Sequence, residues 1–495
     1  WGKPRQKPLC MLSRTGIETR WACSSTAFLD ALHETEDTRP HPKHCVLRNA
    51  LKQRSLMEQA ETLAHMIRTL GDTPEQWQQV HQQLKASDEL LKRSLPVLPD
   101  VLRTLDSAHH TLGWLYILDK IGDDAVANPT LPGSEAFLTN CTHFVEQAVP
   151  AQLRVAPEKF ASLCRKLKEV CVALSQPARA IVTLKMAIRK IQPDAQHLTP
   201  QHVDYLQACI LAKLYTVAAA ILQDDVYEVD PSTTGIVPKD FLLYCYYGGM
   251  VYVGLKAWVK AQEFFLHAIT APTVALNAIT IASYKKYVLV SLIHSGQLLP
   301  FPKYTSSIVQ RHVKTACPEL NELMTAYMDR NMDEMRKCLR THEETYSKDN
   351  NLGMVKQCVE SLYKRMIQRL TQTYLTLSLE DIAKSVNLPN ARDAEMYILR
   401  MIDAGEIYAT INQKDGMVRF LEDPEQFNSS SMLERLDAEV KNMTVLSRKV
   451  ASVDEQVSTS RAYISKMMLK ERQGRFADTE EFEIGASSAE RSYNL

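Results

Sequence analysis

The chain has 495 residues, in which 58 Lys and Arg balance 58 Asp and Glu. A formal charge of zero gives no general pull towards nucleic acid or a membrane surface, and the length leaves room for two or three domains. Glycine is scarce, at 16 residues, and no apolar run is long enough to span a bilayer, so a mostly helical chain without a membrane-crossing helix is expected.

The eleven cysteines are scattered. Cys164, Cys171, Cys209 and Cys358 sit inside apolar helical patterns, which is how buried free thiols of a reducing compartment look, not a disulfide framework. Residues 1–50 differ from the rest: Pro, Arg and Ser mix with Cys10, Cys23 and Cys45, and no period is sustained. Asp30, Glu34, Glu36 and Asp37 argue against a transit peptide. No C-x-x-C pair starts a zinc site. This stretch reads as a disordered or spurious extension, with Met57 as a natural start.

Residues 51–205 read as N-terminal helical repeats. Thr73-Pro74 is an N-cap followed by proline at the first helical position, and Trp77, Val80 and Leu84 share one face. Leu102, Leu105, Leu112, Leu115 and Leu118 are read as a single helix. Asn128 to Gly133 is a loop, and helices resume at Phe137 and Phe160. Ala180, Ala218 and Ala261 then mark a repeat of roughly 40 residues, the period of a helix-pair solenoid. The best copy, Gly249-x-x-Tyr252 with Ala261-x-x-x-Phe265-x-x-Ala268, follows the tetratricopeptide pattern of small residues at helix crossings and aromatics between them. The tyrosines at 244, 246 and 247 read as packing, not as a ligand box. Asp224 to Pro238 is a surface loop. Helices follow at 279–294, 306–314, 318–327, 332–341 and 355–370, so residues 206–370 continue the repeats.

Residues 371–427 change character. Ser378 caps a helix running to Val386, with Asp381 three residues on. After Pro389 and Asn390 a second helix carries Ala394, Ile398, Met401 and Ile402 on one face and stops at Gly405. Ile407, Ala409 and Ile411 alternate with polar neighbours, Asp415-Gly416 turns, and Met417 to Phe420 returns as a hairpin. Helix, helix, hairpin is a winged helix. Its second helix sets Arg392 and Arg400 against Asp393, Glu395 and Asp403, a poor fit to a phosphate backbone. Protein contact is therefore favoured over nucleic acid, with a winged-helix nucleic-acid-binding factor as the rival of another class. In residues 428–470, Ser431-x-x-Glu434 caps a last helix, and Leu433, Leu436, Val440, Met443 and Val450 follow coiled-coil spacing interrupted by Ser447. Residues 471–495 read as an acidic disordered tail.

Catalytic patterns are missing: no phosphate-binding loop, dinucleotide fingerprint, zinc-protease pair or nucleophile elbow is present. His109 and His110 are adjacent and point to different sides of a helix. No cofactor, metal or enzymatic activity is expected.

Helical repeats running into a winged helix and closing helices resemble the PCI-domain family. Tyr246 to Met250 (YYGGM), Ser283 to Tyr287 (SYKKY), Asp349 to Gly353 (DNNLG) and Ile411 to Phe420 (INQKDGMVRF) are similar to the third-subunit family of the COP-nine signalosome. Leu421 to Phe427 (LEDPEQF) is similar to its plant form. The resemblance spans about Leu51 to Arg475 and is densest from Phe241 to Phe427. It implies an all-α architecture: a tetratricopeptide-like solenoid ending in a winged-helix module and a C-terminal bundle helix. It further implies a non-catalytic scaffold in a complex that removes the ubiquitin-like modifier Nedd from cullins, with the zinc centre on another subunit, acting in cytoplasm and nucleus. In plants it implies repression of photomorphogenesis. The expected partners are other PCI and metalloprotease subunits, with cullin–RING ligases reached indirectly, and neither nucleic acid nor membrane. By the same resemblance Ile407, Tyr408, Ile411, Val418 and Phe420 would offer a pairing edge, and Leu433, Leu436, Val440, Met443 and Val450 a bundle seam. A proteasome-lid subunit of the same architecture is the rival within the class.

Overall fold

The computed structural model describes residues 61–62, 64–68, 73–130, 132–422 and 429–470, so the expectations for 1–50 and 471–495 lie outside the described residues. The chain divides into two units, Trp1–Ser361 and Leu362–Leu495.

The first unit is helical, and proline begins many of its helices. Pro74, Pro157, Pro200, Pro238 and Pro318 each open one, where the missing N–H has no intrahelical partner to lose. Its main helices are α1 (Pro74–Ala86), α2 (Thr111–Ala127), α3 (Pro132–Gln147), α4 (Pro157–Ala173), α5 (Ala178–Ile191), α6 (Pro200–Leu211), α7 (Tyr215–Leu222), α8 (Pro238–Gly254), α9 (Trp258–Thr270), α10 (Ala278–His294), α11 (Pro318–Met328) and α12 (Met332–Thr341). Shorter helices lie between them. Neighbours in the chain pack against each other as α4·α5, α6·α7 and α8·α9, and α4·α6 and α6·α8 link successive pairs. This is the stacking of a solenoid.

Ala180, Ala218 and Ala261 are fully buried, each at the start of the second helix of a pair. The crossing of α8 with α9 explains Gly248 and Gly249. A Cβ on Gly249 would stand 2.5 Å from the Phe265 ring, and one on Gly248 would stand 2.6 Å from Phe264. The turns within pairs share one device. Ser175, Lys213, Lys256, Gly296 and Arg330 all adopt positive φ, between 54° and 69°. At the four non-glycine positions the next N–H reaches back to a carbonyl in the preceding helix, as from Leu214 to Cys209 and from Ala257 to Tyr252, both 2.9 Å, whereas at Gly296 its own N–H reaches Ser291 at 2.9 Å. Those four are Schellman turns without the glycine that usually marks them, and the first three recur about 40 residues apart.

Two expectations need correction here. Leu102 to Leu118 is not one helix. A helix ends at Thr104, Leu105 is extended, and α2 begins at Thr111. The break is held by the Trp114 indole N–H donating to the Leu105 carbonyl at 3.1 Å. The loop from Asp224 to Pro238 contains a helical turn, Pro231–Thr234, capped by Asp230.

The division between units falls inside α13 (Leu352–Thr373). In the second unit β1 (Thr376–Ser378), α14 (Leu379–Val386), α15 (Ala391–Asp403), β2 (Ala409–Asn412) and β3 (Met417–Phe420) form a winged helix. The sheet order is β1-β3-β2, antiparallel throughout. Ser378 Oγ accepts from the Asp381 N–H at 3.1 Å and caps α14 as expected. Asn387 and Gly405 take the left-handed conformation that ends each helix. Ile382, Val386, Ala394, Ile398, Met401 and Val418 are fully buried and form its core. Lys364 Nζ meets Glu406 Oε1 at 2.7 Å, and Tyr363 packs on Tyr397 at 5.4 Å, tying the second half of α13 to this core. The last long helix is α16 (Ser430–Thr459). Its cap is Ser429, whose side chain accepts from the Met432 N–H, so Ser431 is inside the first turn and is not the cap expected from the sequence. A further helical stretch runs over 461–470.

Candidate assembly interfaces

The wing is built from the hairpin upward. Gly416, at φ 61°, makes the turn, and the register pairs Ala409 with Phe420 and Ile411 with Val418. Because β1 pairs with the far side of β3, β3 is the central strand. That changes the reading of the pairing edge. Val418 is fully buried, Phe420 is 6% and Ile407 5% exposed, so these three hold the sheet to the helices and offer no side chain to a partner. Only Tyr408 and Ile411 remain half-buried. The run Tyr374 to Leu377 held the signal for the third strand, but three residues are too few to show a period.

The sheet has two edge strands, the three-residue β1 and the hairpin strand β2, and the hairpin's open backbone edge is on β2. The Leu421 N–H donates to the Tyr408 carbonyl at 2.8 Å, so Tyr408 turns its polar groups towards β3. By antiparallel alternation Thr410 and Asn412 do the same, and Ala409 and Ile411 aim theirs outward. The edge available to another strand is therefore the N–H and C=O of Ala409 and Ile411.

The exposed face of α15 suits a protein surface. Met396 and Leu399 are 42% and 46% exposed beside Asp393 and Asp403. The side chain of Gln413 donates to Glu395 at 3.0 Å, so a wing residue holds one of the acids in place. Sequence reading singled out the acids and missed the two apolar side chains between them.

None of the 30 residues of α16 is buried. Leu433, Leu436, Val440, Met443 and Val450 are each at least half exposed, and the stripe continues through Val453 and Val457. A helix this rich in exposed aliphatics gains nothing from its own fold, while covering them would contribute roughly 1.5–3 kcal/mol per side chain before ordering costs.

The thiols elsewhere are mostly shielded. Among the described residues eight cysteines are free, and all but Cys338 are buried. Burial pushes the Cys141 and Cys164 thiols well above the ordinary range and those of Cys171 and Cys209 to about 11. Among the same residues no group of His, Cys, Asp or Glu is placed to hold a metal ion.

A helix-pair solenoid with a three-stranded winged helix defines the class of PCI-domain proteins. The family model for the PCI domain matches residues 339–422, and the model for the N-terminal helical repeats of COP9 signalosome complex subunit 3 matches residues 74–309. COP9 signalosome complex subunit 3 of Arabidopsis thaliana is 40% identical over 420 residues, covering 84% of this chain and 96% of that relative. The protein of the same name from Dictyostelium discoideum is 37% identical over 396 residues, covering 80% and 93%. The chain belongs to the COP9 signalosome subunit 3 family.

Proposed function

We propose that the chain is a non-catalytic scaffold subunit of a signalosome that removes the ubiquitin-like modifier Nedd from cullins and so regulates cullin–RING ligases. It acts as part of a hetero-oligomer with other PCI subunits and a metalloprotease subunit, in cytoplasm and nucleus. In a plant its loss would release photomorphogenesis from repression. The observation that carries the reading is α16: 30 residues, an apolar stripe and no buried side chain. Such a helix fits a bundle completed by other chains.

The test is capture of the tagged full chain from native extract, sized by gel filtration and read by mass spectrometry. Co-elution with a cullin-directed metalloprotease and other PCI chains is expected. Charge at Leu436 and Val440 (L436D with V440D) should release those chains while helix content stays normal. Retention of the full set by the variant would remove α16 as the anchor, and recovery with proteasome ATPases would move the protein to the lid.

A further inference from the structure

Three consecutive turns of the solenoid, 172–179, 211–217 and 253–260, share a geometry and a composition. Each holds a non-glycine residue, Ser175, Lys213 or Lys256, at positive φ. Each shows aliphatic side chains to water: Val172 is 38% exposed, Leu211 48%, Leu214 40%, and Val259 54%. The turns lie side by side. A Cβ on Gly254 would stand 2.8 Å from the Tyr215 ring, which joins the second turn to the third. Lys168 of α4 reaches Asp204 at 2.8 Å and Gln207 at 2.6 Å on α6, so these helices run in register towards the first and second turns.

Charge sets this edge apart. The three segments contain Arg179, Lys213, Lys256 and Lys260 and no Asp or Glu. Arg179 is neutralised by Glu135 at 2.8 Å. The three lysines make no ion pair among the described residues, although Lys260 lies over the Tyr252 ring at 5.6 Å. Two of them occupy left-handed positions that glycine would fill with less strain. Exposed aliphatics flanked by unneutralised cations call for an apolar face flanked by anions.

We propose that this edge docks an acidic amphipathic helix of a partner protein. Its apolar side chains lie on Leu211, Leu214 and Val259, and its carboxylates meet Lys213, Lys256 and Lys260. The site uses none of the residues of the winged-helix edge or of α16, and it gives the solenoid a recognition role of its own.

The test treats complexes captured through the tagged full chain with a carbodiimide, which joins lysine to a carboxylate without a spacer. Lys213 or Lys256 is expected to be coupled to Asp or Glu of one other polypeptide, on a segment with helical apolar spacing. The double variant K213G with K256G relaxes both turns, so its unfolding temperature should be unchanged or higher, yet it should retain about tenfold less of that polypeptide. The L436D with V440D chain should still retain it, which separates failure of this site from failure of the α16 anchor. Uncoupled lysines in the native complex, or undiminished retention by the glycine variant, would overturn the proposal. So would flotation of the chain with phosphatidylserine vesicles that the glycine variant loses, because that assigns the edge to a membrane surface.

Discussion

The helices α8 and α9, rich in aromatic residues, and the helix α16, whose apolar residues are aliphatic and set among charges, reach opposite ends. In the first pair Phe265, Ala261 and Val251 are fully buried, and Gly249 lets an aromatic ring pass close to the backbone. In α16 not one of 30 residues is buried. The pair finds its partners within the chain, and α16 is left uncovered among the described residues. An apolar stripe alone therefore does not bury a helix in this protein; in the solenoid, small residues opposite also leave room for the ring that packs there.

The largest way to break the contrast is inside the solenoid. Phe265→Ala should cost about 3–5 kcal/mol in urea unfolding of the full chain, because the cavity beside Gly249 cannot close. A loss below about 1 kcal/mol would mean that the crossing is loosely packed. Lys168→Met should cost a similar amount, because it leaves Asp204, 2% exposed, without its cation. Burial holds the Asp204 carboxyl above its ordinary range even with Lys168 present. The damage should therefore be larger at pH 8, where the stranded group must ionise, than at pH 5.

His202 sharpens the same point. Burial lowers its imidazole to about 4, and its Nδ1 accepts from the Thr199 N–H at 3.2 Å, which requires the neutral ring. An unfolded histidine takes up a proton near 6.5 and the folded one resists until about 4. This contribution is thus complete above pH 6.5 and falls by about 3 kcal/mol as pH drops to 4. His202→Gln keeps a capping partner for Thr199 and should flatten that part of the stability–pH curve. An unchanged slope would assign the acid sensitivity to other groups.

The same measurements on α16 should show almost nothing. L436D with V440D should move stability by no more than about 0.5 kcal/mol in the isolated chain, since both sites already face water. At the wing, Ala409→Pro removes an outward N–H and should weaken strand pairing with a neighbour while the hairpin persists. Proline at Tyr408 instead disturbs the side of the strand that faces β3. Smallest of all, Lys213→Gly should stabilise by up to about 1 kcal/mol by relieving a left-handed lysine.

Much of this was legible in the sequence. Ala180, Ala218 and Ala261 showed the repeat because a helix crossing admits only small side chains, and those alanines recur in phase. Gly405 and Asp415-Gly416 marked their turns through backbone needs that few residues meet. The left-handed turns at Ser175, Lys213, Lys256 and Arg330 were not legible, since those residue types carry no turn signature. The break at Leu105 was hidden because the leucines on both sides keep helical spacing across it. The pairing edge was misread for a topological reason. Whether Val418 and Phe420 are available depends on which strand is central, and that was decided by β1, some 40 residues earlier in the chain.

The bare face of α16 also bears on how much of this protein a cell can hold. A surplus copy can complete its solenoid and its winged helix and still present leucine, valine and methionine to water from Leu433 to Val457. Surfaces of that kind are what chaperones and proteases select. A copy whose α16 is covered loses the mark, and an orphan keeps it. If partner chains cover α16 as proposed, the chain's lifetime follows their supply, and unequal synthesis is corrected by its turnover.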